Sequence, residues 1–326
     1  MESIADWRPE ADMQAQRARA RMYAVIRRFF AQLSVLEVET PIASSAANSD
    51  PALLSLRTAY VGPTGAPEPL WLHTSPEFAM KRLLAAGSGS IYQICKVFRG
   101  GERGRLHHPE FTLLEWYRPG WDAMRLMGEV ADLVRDVFDN PSLSMEMITY
   151  RELFESRLGL DPFRVCSEGL SEFARDQGIS DAERLDLDVD GWLDLLLTHC
   201  IEDGLGRGCL TFVYDYPPNQ AALARIRGGS DPVAERFELY LEGVEMANGF
   251  RELTEPQEQR RRFEADLERR RILRIGEAPI DQRLLAALES GMPDASGVAL
   301  GLDRLLMVMS GSRHIDQVLA FPVERA

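Results

Sequence analysis

Three things are missing from this chain, and each absence narrows what it can be. No apolar run approaches the ~20 residues of a membrane span, and the opening MESIADWRPEADMQ has no apolar core of signal-peptide kind. A soluble, cytoplasmic protein is therefore expected. Cysteine is scarce: Cys95, Cys166, Cys200 and Cys209 form no CxxC pair and join no histidine at zinc spacing, so scattered reduced thiols are expected. Basic charge is also short, with 37 Lys and Arg against 51 Asp and Glu and a net charge of −14. Proteins that bind by neutralising phosphates carry a basic face, so extended nucleic-acid binding is not expected.

What the chain does have is 326 residues at 45% hydrophobic composition, enough for a large packed core. Residues 11–33 space Met22, Val25, Ile26, Phe29, Phe30 and Leu33 as an amphipathic helix, followed by a short strand over 35–41 that Pro41 stops. Residues 42–69 read as loop with one strand near 53–61. Ser75-Pro76-Glu77 opens a helix that Gly87 ends: a cap, a proline at the first position, then an acid near the positive end. Strands follow at 91–99 and 110–117, around the polar loop GGERGRLHHP. Helices are expected near 122–138, 150–157, 168–177 and 189–202, with Thr149 and Glu152 as a capping box. A strand at 209–214 precedes a hairpin over 237–248 that turns at Glu242-Gly243. Thr254 with Gln257 caps a charged helix to about 273, and a strand at 296–300 runs into a last helix at Gly301. This order reads as α+β, a mainly antiparallel sheet flanked by helices, in a single domain over 1–326 with a helical insertion at about 120–205.

Three constellations carry chemistry. A two-residue turn at 242–243 pairs Leu241 with Val244 and Glu238 with Ala247, so Glu238 and Glu245 are diagonal neighbours on one face. Two adjacent carboxylates suit a shared cation such as Mg²⁺; a solvated acidic hairpin is the other reading. That register puts Asn248 on the opposite face, and only a bulge or strand end would bring it and Glu252 to the same site. Second, alternation puts Phe111, Leu113, Glu115 and Tyr117 on one strand face, an acid and a phenol able to hold an ammonium. Arg99 leads into a loop whose amides and cations, Arg103, Arg105, His107 and His108, could embrace phosphates. The histidines could be catalytic bases, but loop hydrogen-bonding is the favoured reading. Third, SGVALGLDRL (296–305) runs a strand into a helix N-terminus at Gly301, where an anion can sit, with Arg304 one turn in.

Taken together and in this order, the segments resemble a class II aminoacyl-tRNA synthetase core of the lysyl branch. RRFFAQLSVLEVETP (27–41) resembles motif 1, VFRGGERGRLHHPEFTLLEWY (97–117) motif 2 and GVALGLDRLLM (297–307) motif 3. TSPEFAMKRLL (74–84) resembles the branch's amino-acid-binding helix and EMANGFREL (245–253) its substrate segment. The resemblance implies ATP and Mg²⁺, and these roles. Arg99 meets the α-phosphate, within a nucleotide site that includes Gly100, Gly101, Glu102, His107, His108, Met246 and Gly301. Phe111 and Arg304 stack on the two faces of adenine. Glu238 and Glu245 hold the metal. Ser75, Pro76, Glu77 and Asn248 meet the amino acid's amino and carboxylate ends, and Glu115, Tyr117 and Glu252 its side-chain ammonium. Three carboxylates, Glu77, Glu115 and Glu252, suit a substrate with two ammonium groups. Motif 1 implies a homodimer that buries apolar faces such as Phe29 and Phe30.

The motif 1 helix begins close to the start of the sequence, which leaves no room before it for an anticodon-binding barrel of the OB type. The pattern is then similar to the stand-alone paralogues that attach (R)-β-lysine to a lysine side chain of elongation factor P. Ala299, where lysyl-tRNA synthetases usually have glycine, adds a methyl at the pocket floor and suits an amino group shifted to the β position. Motif 2 departs from the usual Arg-x-Glu by reading Arg99-Gly100-Gly101, with Glu102 placed to supply the acid after a loop shift. His108 stands where asparagine is common. A tRNA ligase without anticodon contacts, and a non-catalytic regulatory paralogue, are the alternative readings.

Overall fold

The computed structural model describes residues 7–63, 65–180, 182–276 and 278–326, so the polar start of the chain lies partly outside it. In chain order the elements are α1 (Met13–Gln32), β1 (Leu36–Glu37), β2 (Ala43–Ser44), β3 (Arg57–Val61), β4 (Pro67–Leu72), α2 (Glu77–Ala85), β5 (Ile91–Phe98) and β6 (Glu110–Pro119). There follow α3 (Ala123–Phe138), β7 (Met145–Thr149), α4 (Tyr150–Leu158), α5 (Ser167–Asp176), α6 (Val189–Leu196) and β8 (Leu210–Tyr216). The rest are β9 (Ile226–Arg227), β10 (Val233–Leu241), β11 (Val244–Arg251), α7 (Pro256–Ile272), α8 (Gln282–Glu289), β12 (Ala295–Gly301) and α9 (Leu302–Ser310). They divide into two compact units: Met1–Gly120 with Asp136–Phe138 and Thr254–Ala326, and Trp121–Arg135 with Asp139–Leu253.

In the first unit, β1, β5, β6 and β12 lie side by side in that order, antiparallel except for the short β1–β5 pair. β2, β4 and β3 form a separate antiparallel sheet. Helix α1 starts where Asp12 caps Ala15 N at 2.7 Å and buries Met22, Ile26, Phe29 and Phe30 on one stripe. Phe30 stacks on Tyr92 with centroids 4.3 Å apart and meets Trp116 edge-on at 5.5 Å. This corrects the expectation that Phe29 and Phe30 face a second subunit. Their rings are spent inside the chain, and the apolar side chains left exposed nearby are Leu33 and Leu36.

The second unit is built on β11, β10, β8 and β7, antiparallel except for β7–β8, with β9 beside β10. Its helices bury Leu153, Phe154, Leu170, Trp192 and Leu196 in a core shared with Tyr150 and Tyr216. The capping box at α4 forms as expected, with Thr149 Oγ1 accepting from Glu152 N and Thr149 N donating to the Glu152 carboxylate. Both units are mainly antiparallel sheet with helices, as expected of an α+β fold.

Local expectations fail in several places. The motif 1 strand shrinks to two residues, and 42–69 holds three strands rather than one. The strand β7 and the helix α8 are not among the expected elements, although α8 is capped by Asp281 and buries Leu284, Leu285 and Leu288 on one face. The helix from 189 stops at Leu196 and continues as a π turn over Leu197–Ile201. Thr254 does not cap α7: Glu255 is its N-cap without a side-chain bond, and Pro256 starts the helix.

Candidate active site

In the first unit the sheet register sets three residues in a row: Gln93 on β5 is opposite Glu115 on β6, which is opposite Ala299 on β12. Directly paired residues share a sheet face, so the methyl of Ala299 lies beside the Glu115 carboxylate. Both carboxylate oxygens of Glu115 accept hydroxyl protons, Oε1 from Tyr117 at 2.5 Å and Oε2 from Ser75 at 2.8 Å. Glu115 is 2% exposed. Burial first, and the charge of Glu77 second, push its pKa up to about 7 against the pull of Tyr117, Ser75 and Lys81. Nearby Cys95 is pushed up to about 12 by burial and by Glu115, so its thiol is not nucleophilic.

Glu77 opens α2, where Ser75 Oγ accepts its backbone N–H at 3.0 Å in place of a conventional N-cap bond. Its Oε1 takes the ammonium of Lys81 at 2.6 Å. Next to this turn lies a cavity of about 310 Å³, lined in part by Asn48, Thr74, Ser75, Glu77 and Arg82.

Motif 2 is intact around its glycines. Arg99 donates through Nε to Thr74 O at 3.3 Å, lies 5.0 Å from the Phe111 ring centroid, and faces Glu102 at 3.6 Å. Gly100 bridges to Leu54, its N–H donating to Leu54 O at 2.7 Å, and an added Cβ would meet Leu54 and Leu56 atoms at 3.3 Å. Gly101 sits at φ +80°, a conformation that an acid there would adopt only with strain. The acid that faces Arg99 is Glu102, one residue later.

The two loop histidines separate. His107 Nε2 accepts from the Arg304 guanidinium at 2.8 Å, and Arg304 also donates to Leu106 O at 3.3 Å. Burial and then Arg304 hold the His107 pKa below the usual range. His108 is buried with both nitrogens on backbone groups: Nε2 accepts from Val323 N at 2.9 Å, and Nδ1 donates to Glu110 O at 2.5 Å. Any nucleotide contact at position 108 falls to its backbone. Gly301 caps α9, and buried Asp303 in its first turn accepts from Thr112 N at 2.6 Å and pairs with Arg19.

The hairpin of the second unit corrects the simple register. Leu241 pairs with Val244 and Tyr240 with Glu245, but a bulge then slips the strands, so Leu239 pairs with Ala247 and Glu238 with Asn248. The extra residue is Met246, itself buried. Glu238 and Tyr240 alternate on one face of β10, and the slip puts Glu245 and Asn248 opposite them. The bulge that Asn248 requires is present, at Met246. Glu252 is 1% exposed and bridges to Ala224.

Glu238 is heavily engaged. Its Oε2 accepts from Tyr216 at 2.7 Å and Tyr240 at 2.6 Å, and its Oε1 takes the Arg236 guanidinium at 2.5 Å. Arg236 also donates to Gln220 O at 2.8 Å and Asn248 Oδ1 at 3.3 Å. Burial is the largest influence and opposes the charge of Arg236, but Glu238, Tyr216 and Glu245 together outweigh it and keep the guanidinium's pKa above its usual value. Sequence reading missed Lys81, Gln93, Arg236, Tyr216 and Tyr240. Only Lys81 carried a signal, its i,i+4 spacing from Glu77.

Comparison with known proteins agrees with this geometry. The family described as tRNA synthetases class II (D, K and N) matches residues 2–325. The chain is 47% identical to a protein of Pectobacterium atrosepticum and 48% identical to one of Proteus mirabilis, each over the full length of both chains. A protein of Pectobacterium carotovorum is 47% identical over the same extent. All three are named elongation factor P–(R)-β-lysine ligase. With its sheet register, its motif 2 arginine and a family match from residue 2 to residue 325, the chain belongs to the class II tRNA synthetases of the D, K and N group.

Proposed function

We propose that this protein activates (R)-β-lysine with ATP and transfers it to a lysine side chain of elongation factor P, the chain acting as a single catalytic domain. The observation that carries the reading is Glu115: a buried carboxylate lined by the hydroxyls of Ser75 and Tyr117, which is the environment that binds an ammonium. Full-length relatives with that name support the choice of substrate and acceptor.

Glu115 and Tyr117, with Glu252, receive the side-chain ammonium. Glu77, through Oε2, and Asn248 take the ends of the amino acid, with Ser75 and Pro76 shaping the turn. Arg99 meets the α-phosphate, and Gly100, Gly101, Glu102, His107, the backbone of His108, Met246 and Gly301 surround the nucleotide. Phe111 and Arg304 take the faces of adenine. The substrate carboxylate attacks the α-phosphorus in line and pyrophosphate leaves, while Arg99 stabilises the charge that develops. The acceptor amine then attacks the acyl carbon and AMP leaves, with no enzyme nucleophile.

Mg²⁺ fits the hairpin unevenly. Glu245 is half-buried on the slipped face, whereas Glu238 already neutralises Arg236 and keeps only one lone pair, on Oε1. One carboxylate with substrate phosphates satisfies this ion, so Glu245 would hold it with Glu238 in support. When bound it neutralises charge on the phosphates. Ala299 beside Glu115 favours the β-amino isomer. A homodimer is part of the reading, supported by the exposed Leu33 and Leu36. The setting is the cytoplasm; no described helix is long and apolar enough to cross a membrane.

The test is transfer of radiolabelled (R)-β-lysine in the presence of ATP and Mg²⁺. Label appearing on elongation factor P and not on tRNA is expected. Label on tRNA alone would replace the reading with a tRNA ligase, and label on neither would leave a non-catalytic paralogue.

A further inference from the structure

The helix that presents Glu77 carries an ammonium of its own. Lys81 shares a face of α2 with Glu77, its Nζ lies 2.6 Å from Glu77 Oε1, and its side chain is 1% exposed. An ammonium enclosed to that degree is stabilised by an acid that faces it, and Glu77 is such an acid. Glu115 is the second acid of the cluster, and Lys81 acts on it electrostatically as well.

Counting formal charges changes the picture drawn from the sequence. With both acids ionised, Glu77 and Glu115 contribute two negative charges and Lys81 one positive charge, which leaves one net negative charge among these three side chains. Sequence reading counted the carboxylates alone. A further acceptor stands in the same row: Gln93, opposite Glu115, is 3% exposed, and its buried Oε1 has no hydrogen-bond partner. Such an oxygen costs free energy until a donor meets it. Glu115, Gln93 and the Tyr117 hydroxyl thus make a compact set for one ammonium.

We propose that Lys81 is a positioning and charge-balancing residue of this site. It holds Glu77 by Oε1, leaves Oε2 to the substrate's amino group, and cancels one of two buried negative charges so that Glu115 can carry its own. The inference rests on the proposed activation of a lysine-like substrate. The groups facing Glu115 in this unit are Tyr117 on its own strand, Gln93 and Cys95 on β5, Ser75 before α2, and Glu77 and Lys81 on α2; Ala299 on β12 is uncharged.

The test is the pH profile of pyrophosphate exchange at saturating ATP in the wild type, Lys81→Met and Glu77→Gln, with kcat and KM for (R)-β-lysine resolved. Removing Lys81 leaves two like charges together, and the acidic limb of kcat/KM should move up by about one pH unit or more. Removing Glu77 should move the same limb down. The KM effect should exceed the kcat effect in both. A purely structural Lys81 would lower kcat and the melting temperature at every pH with both limbs unmoved, and that result overturns the proposal. Should Lys81→Met fail to fold, Glu77→Gln alone decides by whether its limb falls. Failure of the wild type to exchange with any lysine isomer would strike the proposed function instead.

Discussion

Glu115 in the first unit and Glu238 in the second are alike in burial, 2% and 6% exposed, and each accepts two hydroxyl protons. They differ in where the balancing cation sits. Arg236 bonds Glu238 directly, whereas both oxygens of Glu115 take hydroxyl protons and the ammonium of Lys81 lies 2.6 Å from its neighbour Glu77. Glu238 is therefore compensated on the spot and anchors the hairpin, while Glu115 is left at about 7 with capacity for an added ammonium. Burial and a carboxylate do not by themselves mark a binding residue. The location of the nearest cation does.

This contrast can be broken from either side. The largest effect is expected at Glu238→Ala, which strands Arg236 without its partner and should cost about 3–5 kcal/mol of stability by chemical denaturation. A fall of under about 1 kcal/mol would show that Arg236 finds water or Asn248 instead. Next, Arg99→Ala should lower pyrophosphate exchange about 10²–10³-fold while the fold persists, since its partners are a carbonyl, a ring face and a half-buried acid. A smaller effect separates Glu245 from Glu238: Glu245→Gln should raise the Mg²⁺ concentration needed for half-maximal exchange roughly tenfold, with stability within about 0.5 kcal/mol of wild type.

Stability against pH should also tell the two acids apart. The folded pKa of Glu115 lies above that of an unfolded glutamate, so between about 4.5 and about 7 the folded state holds the extra proton. Stability from this group is present at the acidic end of that window and declines as pH rises through it. Glu115→Gln should remove the decline, measured as the difference in denaturation midpoint between the two ends of the window. Smallest of all, Ala299→Gly should relax the preference for (R)-β-lysine over α-lysine by about tenfold, the scale of one methyl in a pocket; an unchanged ratio would separate Ala299 from isomer choice.

Much of this was legible in the sequence, because period-two alternation fixed β5 and β6 and the glycine turn fixed the start of the hairpin. The face shared by Phe111, Glu115 and Tyr117 needed nothing more. The bulge at Met246 was not legible, since a register slip depends on packing across two strands rather than on any local residue pattern. It is what puts Asn248 opposite Glu238. Phe29 and Phe30 look the same in sequence whether they face a neighbour or their own core; Phe30 packs on Tyr92 and Trp116, and Phe29 meets Phe30 edge-on. Arg236 and its tyrosines read as ordinary strand residues because their partners are distant in sequence. The departure of motif 2 at Gly101 gains a physical reason only from the backbone: the residue sits at φ +80°, where an acid would be strained, and the carboxylate facing Arg99 is Glu102.

The central claim is that the first unit's pocket selects a lysine-like amino acid for adenylation. The most direct measurement is ATP–pyrophosphate exchange with (R)-β-lysine, (S)-β-lysine, α-lysine and norleucine, the last lacking the side-chain ammonium. The account expects exchange with the lysines, strongest with (R)-β-lysine, and none with norleucine. Equal exchange with norleucine, or none with any lysine, would contradict it.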